Sequence, residues 1–178
     1  MKDLGLLVGR LVVGSLVAGH GAQKLFGWFE GPGWENWTAA TESRMGMRPG
    51  RFWGSLQAGG EFGSGVLTAL GFMNPLGPVG IVATMVAASF KGHRGKPIWA
   101  SKGGPELALS FLASAVVAGT QSPGRYSLDS LLSVRTPRWL TALAILGAAA
   151  LLAETVRPTV TPRLYPAPET VAAEASEP

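Results

Sequence analysis

From Leu4 to about Leu25 the chain is apolar apart from Arg10, His20, Gln23 and Lys24. At 1.5 Å per residue, a run of roughly 20 residues crosses a hydrocarbon layer about 30 Å thick. This run constrains the fold more than any other feature, because a chain that begins this way must bury the run in protein, bury it in lipid or lose it to a signal peptidase. Cleavage is the weaker reading. Lys2 does precede the apolar stretch, but Arg10 interrupts it and Ala18-Gly19-His20 is a poor cleavage site.

The rest of the chain repeats the pattern. A second apolar span is expected from about Phe52 to Phe72, with Asn74 and Pro75 as N-cap and first helical residue of a third. The third ends near Phe90, before Lys91, His93, Arg94 and Lys96, and a fourth starts at Gly104-Pro105 and runs to about Thr120. Trp139 to about Ala153 is a fifth, shorter apolar segment, expected to span, with a course along the bundle as its alternative. Only 15% of residues are charged, against about 25% in soluble domains. Glycine, at 25 residues, falls inside the apolar runs, as it does where membrane helices touch.

The expected fold is therefore all-α: a polytopic membrane four-helix bundle over residues 1–132, an additional C-terminal apolar helix at 133–154, and a disordered tail at 155–178, where few large apolar groups offset ordering entropy. The absence of cysteine excludes disulfides, thiolate metal sites and thiol catalysis from this subunit, and with two histidines no autonomous metal site is expected. A haem held by His20 and His93 is the weaker idea, since both lie near water. Basic residues gather in connecting loops and form no stripe for nucleic acid. Loop one counted with its flanks (Lys24, Arg44, Arg48, Arg51), loop three (Lys91, Arg94, Lys96, Lys102) and the tail (Arg157, Arg163) hold ten Lys and Arg against four on the other side (Lys2, Arg125, Arg135, Arg138), which places loops 27–50 and 91–104 in the cytoplasm and the N-terminus outside.

Within loop one, Trp34, Trp37, Thr41 and Met45 recur at helical spacing, giving either a helix lying in the membrane interface or one packed on the bundle mouth. Gly5 and Gly9, like Gly59 and Gly63, are small-xxx-small pairs read as packing within the chain, with a dimer seam as the alternative.

The ionisable residues at membrane depth carry the functional reading. A bare arginine at Arg10 would cost at least about 2.5 to 3.5 kcal/mol, so it needs a partner or a wet cavity. Antiparallel pairing of the first two spans nominates Glu61, either as a structural ion pair fixing helix register or as part of a site for an anionic or quinone-like ligand. Arg10, Gly14, Val17, Gly21 and Lys24 share one stripe of the first helix. That stripe reads either as close helix packing or as one wall of a polar cleft lined by His20, Gln23, Lys24 and Glu106. Lys102 and Glu106, four residues apart, are positioned to pair with each other.

The motifs themselves carry a resemblance. Gly19-His20-Gly21-Ala22-Gln23-Lys24-Leu25-Phe26-Gly27-Trp28-Phe29, Gly31-Pro32-Gly33, Gly59-Gly60-Glu61, Ala100 through Glu106 and Gly124 through Asp129 together resemble the DoxX family of bacterial integral membrane proteins over roughly residues 4 to 132. The resemblance implies a four-helix bundle in the bacterial plasma (inner) membrane and an association with redox chemistry. Its relatives include the membrane subunit of a thiosulfate:quinone oxidoreductase and a mycobacterial scaffold that ties superoxide dismutase to a sulfurtransferase. The residues it singles out are His20, Gln23, Lys24, Glu61, Lys102, Glu106, Arg125 and Asp129. The expected function is a non-catalytic or co-catalytic membrane subunit or scaffold of an oxidoreductase complex. Its expected partners are the lipid bilayer, redox-complex proteins and a quinone or small oxyanion. The alternatives are a small-molecule carrier, with Gly59-Gly60 loosening the second span beside Glu61, or a structural or assembly protein without a redox role.

Overall fold

The computed structural model describes residues 1–156, and every regular element among them is helical. Helix α1 is Lys2–Phe26, α2 Gly33–Ser43, α3 Gly50–Leu70, α4 Leu76–Ala87, α5 Glu106–Gly119, α6 Leu128–Leu132 and α7 Arg138–Val156. A single π-turn, Ala88–Gly92, prolongs α4. Helices α1 and α7 are long and apolar enough to cross a membrane, whereas Leu76–Gly92 and Glu106–Gly119 are shorter apolar helices. At 14 residues, α5 reaches about 21 Å along its axis.

The α1–α3 pair is the most extensive contact in the fold. Gly14, Gly21 and Gly65 make it possible. A Cβ at Gly14 would run into the Ala69 backbone, one at Gly21 into Phe62, and one at Gly65 into Ala18. Glycine removes that obstacle and lets the two backbones meet. The packing expected of Gly5, Gly9, Gly59 and Gly63 is not found, since a Cβ at each would meet open space. Those pairs point outward, because the register of α1 on α3 is fixed by the other glycine set. Helix α3 continues through Gly59-Gly60 without a break, so the loosening expected beside Glu61 is also absent.

Helix α3 ends at Gly71, whose φ of 62° is left-handed, with the Phe72 and Gly71 N–H groups donating to Leu67 and Thr68 carbonyls. Pro75 and Pro105 occupy the residue before the first helical turn of α4 and α5, one position earlier than expected. Asn74 does not cap α4; its side-chain amide donates to the Gln121 carbonyl instead. Loop one forms α2, which packs against α3 at the bundle mouth: the indole N–H of Trp34 donates to Ser55 Oγ and that of Trp37 to the Gly54 carbonyl. The packing on the bundle mouth, one of the two readings of this helix, is therefore present.

Helix α7 lies along α4 and is exposed over most of its surface. It is longer than the fifth segment read from the sequence and includes Thr155, which is buried and bonded to the Leu151 carbonyl. The remainder of the tail expected to be disordered lies outside the described residues.

The interior mixes apolar and polar side chains. Val17, Ile81, Met85, Ala108, Phe111 and Ala115 make a small apolar core shared by α1, α4 and α5. Around it, Arg10, Glu61, Ser64, Thr68, Thr84 and Asp129 are buried, while Leu4, Val8, Leu16, Val117, Leu143 and Leu146 are exposed.

Candidate functional site

The glycine contacts set which residues of α1 and α3 face each other. With Gly21 against Phe62, the last turn of α1 meets the turn of α3 that holds Gln57 and Glu61. Glu61 is only 1% exposed, and Lys24 Nζ lies 2.5 Å from each of its carboxylate oxygens. Gln57, one turn earlier on α3, donates to Glu61 Oε1 at 2.8 Å and to the Thr84 carbonyl of α4 at 2.9 Å. The Lys24 ammonium also sits 4.5 Å from the centre of the Trp37 ring, a cation–π contact supplied by α2. The partner of Glu61 is therefore Lys24 and not Arg10.

Beside this pair lies a cavity of about 460 Å³. Its walls combine His20, Lys24, Gln57, Glu61 and His93 with the apolar and aromatic side chains of Trp37, Met45, Trp53, Met85, Leu107 and Phe111. His20 comes from α1, turns its edge toward Phe111 at 6.0 Å, and places Nδ1 3.1 Å from Gln23 Oε1. His93 follows the π-turn, which widens the end of α4 and brings Lys91, Gly92 and His93 into the wall. Its Nδ1 is 2.7 Å from the Gly103 carbonyl. Burial holds the Lys91 ammonium below the ordinary lysine range, and neighbouring Arg94 pushes in the same direction.

The structure brings together His20, Lys24 and Glu61 from the residues read in the sequence. Gln23 stands behind His20, off the cavity wall, with its amide reaching the Phe29 carbonyl at 3.5 Å. Lys102 and Glu106 are exposed and do not line the cavity, and Glu106 accepts the Ala100 N–H at 2.8 Å in place of the expected pairing with Lys102. Gln57, Phe111 and Met85, all on the cavity wall, were missed. Gln57 was legible, since it lies four residues before Glu61 and hence on the same helix face. Phe111 and Met85 carry no signal that separates a cavity wall from a core. Among the described residues, no group of three or more His, Asp and Glu converges as a metal site would require.

Arg10 belongs to a second polar cluster near the other end of α1. It is 5% exposed; one guanidinium nitrogen donates to the Tyr126 carbonyl at 3.0 Å and another to the Ala69 carbonyl at 3.4 Å. Asp129, also buried, accepts the Met73 and Asn74 N–H groups at 2.8 and 2.9 Å, while its own N–H donates to the Gly71 carbonyl. Gly71 packs so closely on Arg10 that a Cβ there would overlap the guanidinium. The stretch from Gly124 to Asp129 is thereby tied to the α3–α4 turn, and Asp3 adds a further tie by accepting the Arg125 N–H at 3.1 Å. This cluster closes the bundle and borders no wall of the cavity.

Buried charges between helices, a small-residue helix interface and exposed leucine and valine define a class, the helical membrane proteins. Within it the chain belongs to the DoxX family, whose family model matches residues 5–94, just over half its length. The match runs from α1 through the π-turn and so contains both the Lys24–Glu61 pair and His93, while the stretches 100–106 and 124–129 fall beyond it. No curated protein and no solved structure matches the chain.

Proposed function

We propose that this chain is a multi-pass subunit or scaffold of a membrane oxidoreductase complex, of the thiosulfate:quinone or oxidative-stress type. In this reading it presents the cavity beside Lys24 and Glu61 to a small amphipathic ligand, a quinone or an oxyanion. The observation that carries the proposal is the cavity itself: a predominantly apolar chamber with the buried Glu61 carboxylate, neutralised by Lys24, on one wall and two histidines on others. Ligand sites commonly combine an apolar body with a few placed polar groups. The chain has no redox-active side chain set of its own, so its role is to bind and to dock partners.

The bilayer placement rests on surface chemistry. The outward faces of α1, α5 and α7 are lined by exposed Leu, Ile and Val, the kind of apolar surface that marks a membrane or protein contact. With loops 27–50 and 91–104 in the cytoplasm of a bacterium, the cavity opens toward that side of the inner membrane, and the Arg10–Asp129 closure lies toward the opposite face.

Purification in mild detergent followed by native mass spectrometry tests the proposal. A co-purifying ring ligand or redox partner, lost on Glu61→Gln, is the expected result. A chain that comes away alone and leaves the activity of its membranes intact when deleted overturns it.

A further inference from the structure

The hydrogen-bonding groups on the cavity wall are not evenly available, and the imbalance selects a ligand. The indole N–H groups of Trp37 and Trp53 donate to the Gly54 and Arg48 carbonyls. Both amide protons of Gln57 are used, on Glu61 and on the Thr84 carbonyl. Lys24 directs its ammonium at the two Glu61 oxygens with the Trp37 face beside it. The wall's neutral donors are thus spent on the protein itself.

The histidines differ. The atom facing His93 Nδ1 is a carbonyl oxygen, and the atom facing His20 Nδ1 is the amide oxygen of Gln23. Neither oxygen can donate, so in each ring Nδ1 carries the proton, and a neutral imidazole then keeps a bare lone pair on Nε2. Both rings are on the cavity wall. Their Nδ1 edges are committed to Gln23 and Gly103, which leaves the Nε2 edges to a guest.

We infer that the cavity binds apolar, ring-sized molecules that carry a hydroxyl donor, and discriminates against isosteres that can only accept. The inference rests on the cavity being a ligand site and deepens that reading by naming the ligand's hydrogen-bonding chemistry. For a ring ligand with two oxidation states, the hydroxylated form is the one the wall receives. A carbonyl or ether oxygen entering beside His20 or His93 meets lone pair against lone pair, whereas a hydroxyl donates to Nε2. Sites built to satisfy a ligand hydroxyl reject the analogue that lacks it, because a buried polar group is then left unpaired.

The probes are 2-naphthol and 2-methoxynaphthalene, matched in shape and differing in the hydroxyl proton. Titration calorimetry of the purified full chain in detergent at pH 8, with micelle partition measured separately, is expected to give saturable binding of naphthol at least tenfold tighter than of the ether. His20→Phe and His93→Phe each reduce that preference severalfold, and His20→Gln, which retains an acceptor oxygen, preserves part of it. Equal affinity for the two probes in the unaltered chain overturns the inference while leaving the cavity as a binding site. Loss of the preference in Lys91→Met also overturns it, by assigning the discrimination to an ammonium. Saturable binding of neither probe removes both the inference and the cavity reading beneath it.

Discussion

Helix α1 turns two cations inward, the buried Arg10 and the partly buried Lys24, fourteen residues and therefore about 21 Å apart along its axis. Both lie on the stripe that faces α3, and they are held in opposite ways. The guanidinium of Arg10 is bonded to backbone carbonyls of Ala69 and Tyr126, and neighbouring Asp129 spends its carboxylate on backbone N–H groups. Lys24 is held by side chains alone, Glu61 and the Trp37 ring, with a chamber alongside. A charge tied to backbone fixes where three segments of chain lie and leaves no room to adapt. One tied to side chains keeps rotamers in reserve, and such a charge can answer to a ligand.

The contrast predicts unequal responses to mutation. Arg10→Met is expected to have the largest effect, a loss of about 3 kcal/mol, since it takes the guanidinium donor from the Ala69 and Tyr126 carbonyls and leaves the buried Asp129 without a nearby cation. Thermal melts in detergent measure it, and an unchanged melting point would erase the distinction between the two ends. Gly71→Ala attacks the same cluster through the backbone and is expected to cost about 2 kcal/mol, because the residue is left-handed and its new methyl group collides with Arg10. The same melt reads it, and a Gly71→Ala, Arg10→Met double variant should lose less than the two losses added together.

At the other end, Glu61→Gln should cost only about 1 kcal/mol of stability, since Lys24 keeps the Trp37 face and can turn into the chamber. Its main consequence should be for binding: affinity for 2-naphthol falls while the fold persists. A melt as damaging as that of Arg10→Met would show that this pair too is structural. Gln23→Leu is the smallest perturbation. Stability should stay within about 0.5 kcal/mol, but His20 loses the acceptor that fixes its Nδ1 proton, so the preference for naphthol over its ether should narrow a fewfold in calorimetry.

Much of the architecture was legible in the amino-acid order. The long apolar runs locate α1 and α3 to within about two residues, and the glycines of the Gly14–Gly21 stripe mark the face on which the helices meet. What was not legible was the register. Antiparallel pairing alone allows α1 to slide along α3, and the choice that set Arg10 against Glu61 is about three turns from the observed one, in which Gly14 meets Ala69 and Gly21 meets Phe62. Arg10 then reaches past the end of α3 to Tyr126, more than a hundred residues away in sequence, a contact that no local pattern encodes. His20, Lys24 and Glu61 were recognised as polar groups in the wrong surroundings, and that part of the site follows from composition and periodicity. Gln23, Lys102 and Glu106 share the same sequence signal but sit behind or outside the wall, because spacing along a helix specifies a face and not a depth.

The glycine-mediated seam between α1 and α3 has a mechanical consequence. Two backbones in contact cannot rotate or glide past one another without steric collision, so this pair behaves as a stiff spine that carries Lys24 and Glu61 in a fixed frame. Any widening of the chamber to admit a guest must then come from the thinner partitions: the α2 cap with its tryptophans, the widened end of α4, and the first turn of α5. Of these, the π-turn beside His93 is the one irregular helical turn, and a change in its winding would turn the histidine while leaving the spine in place.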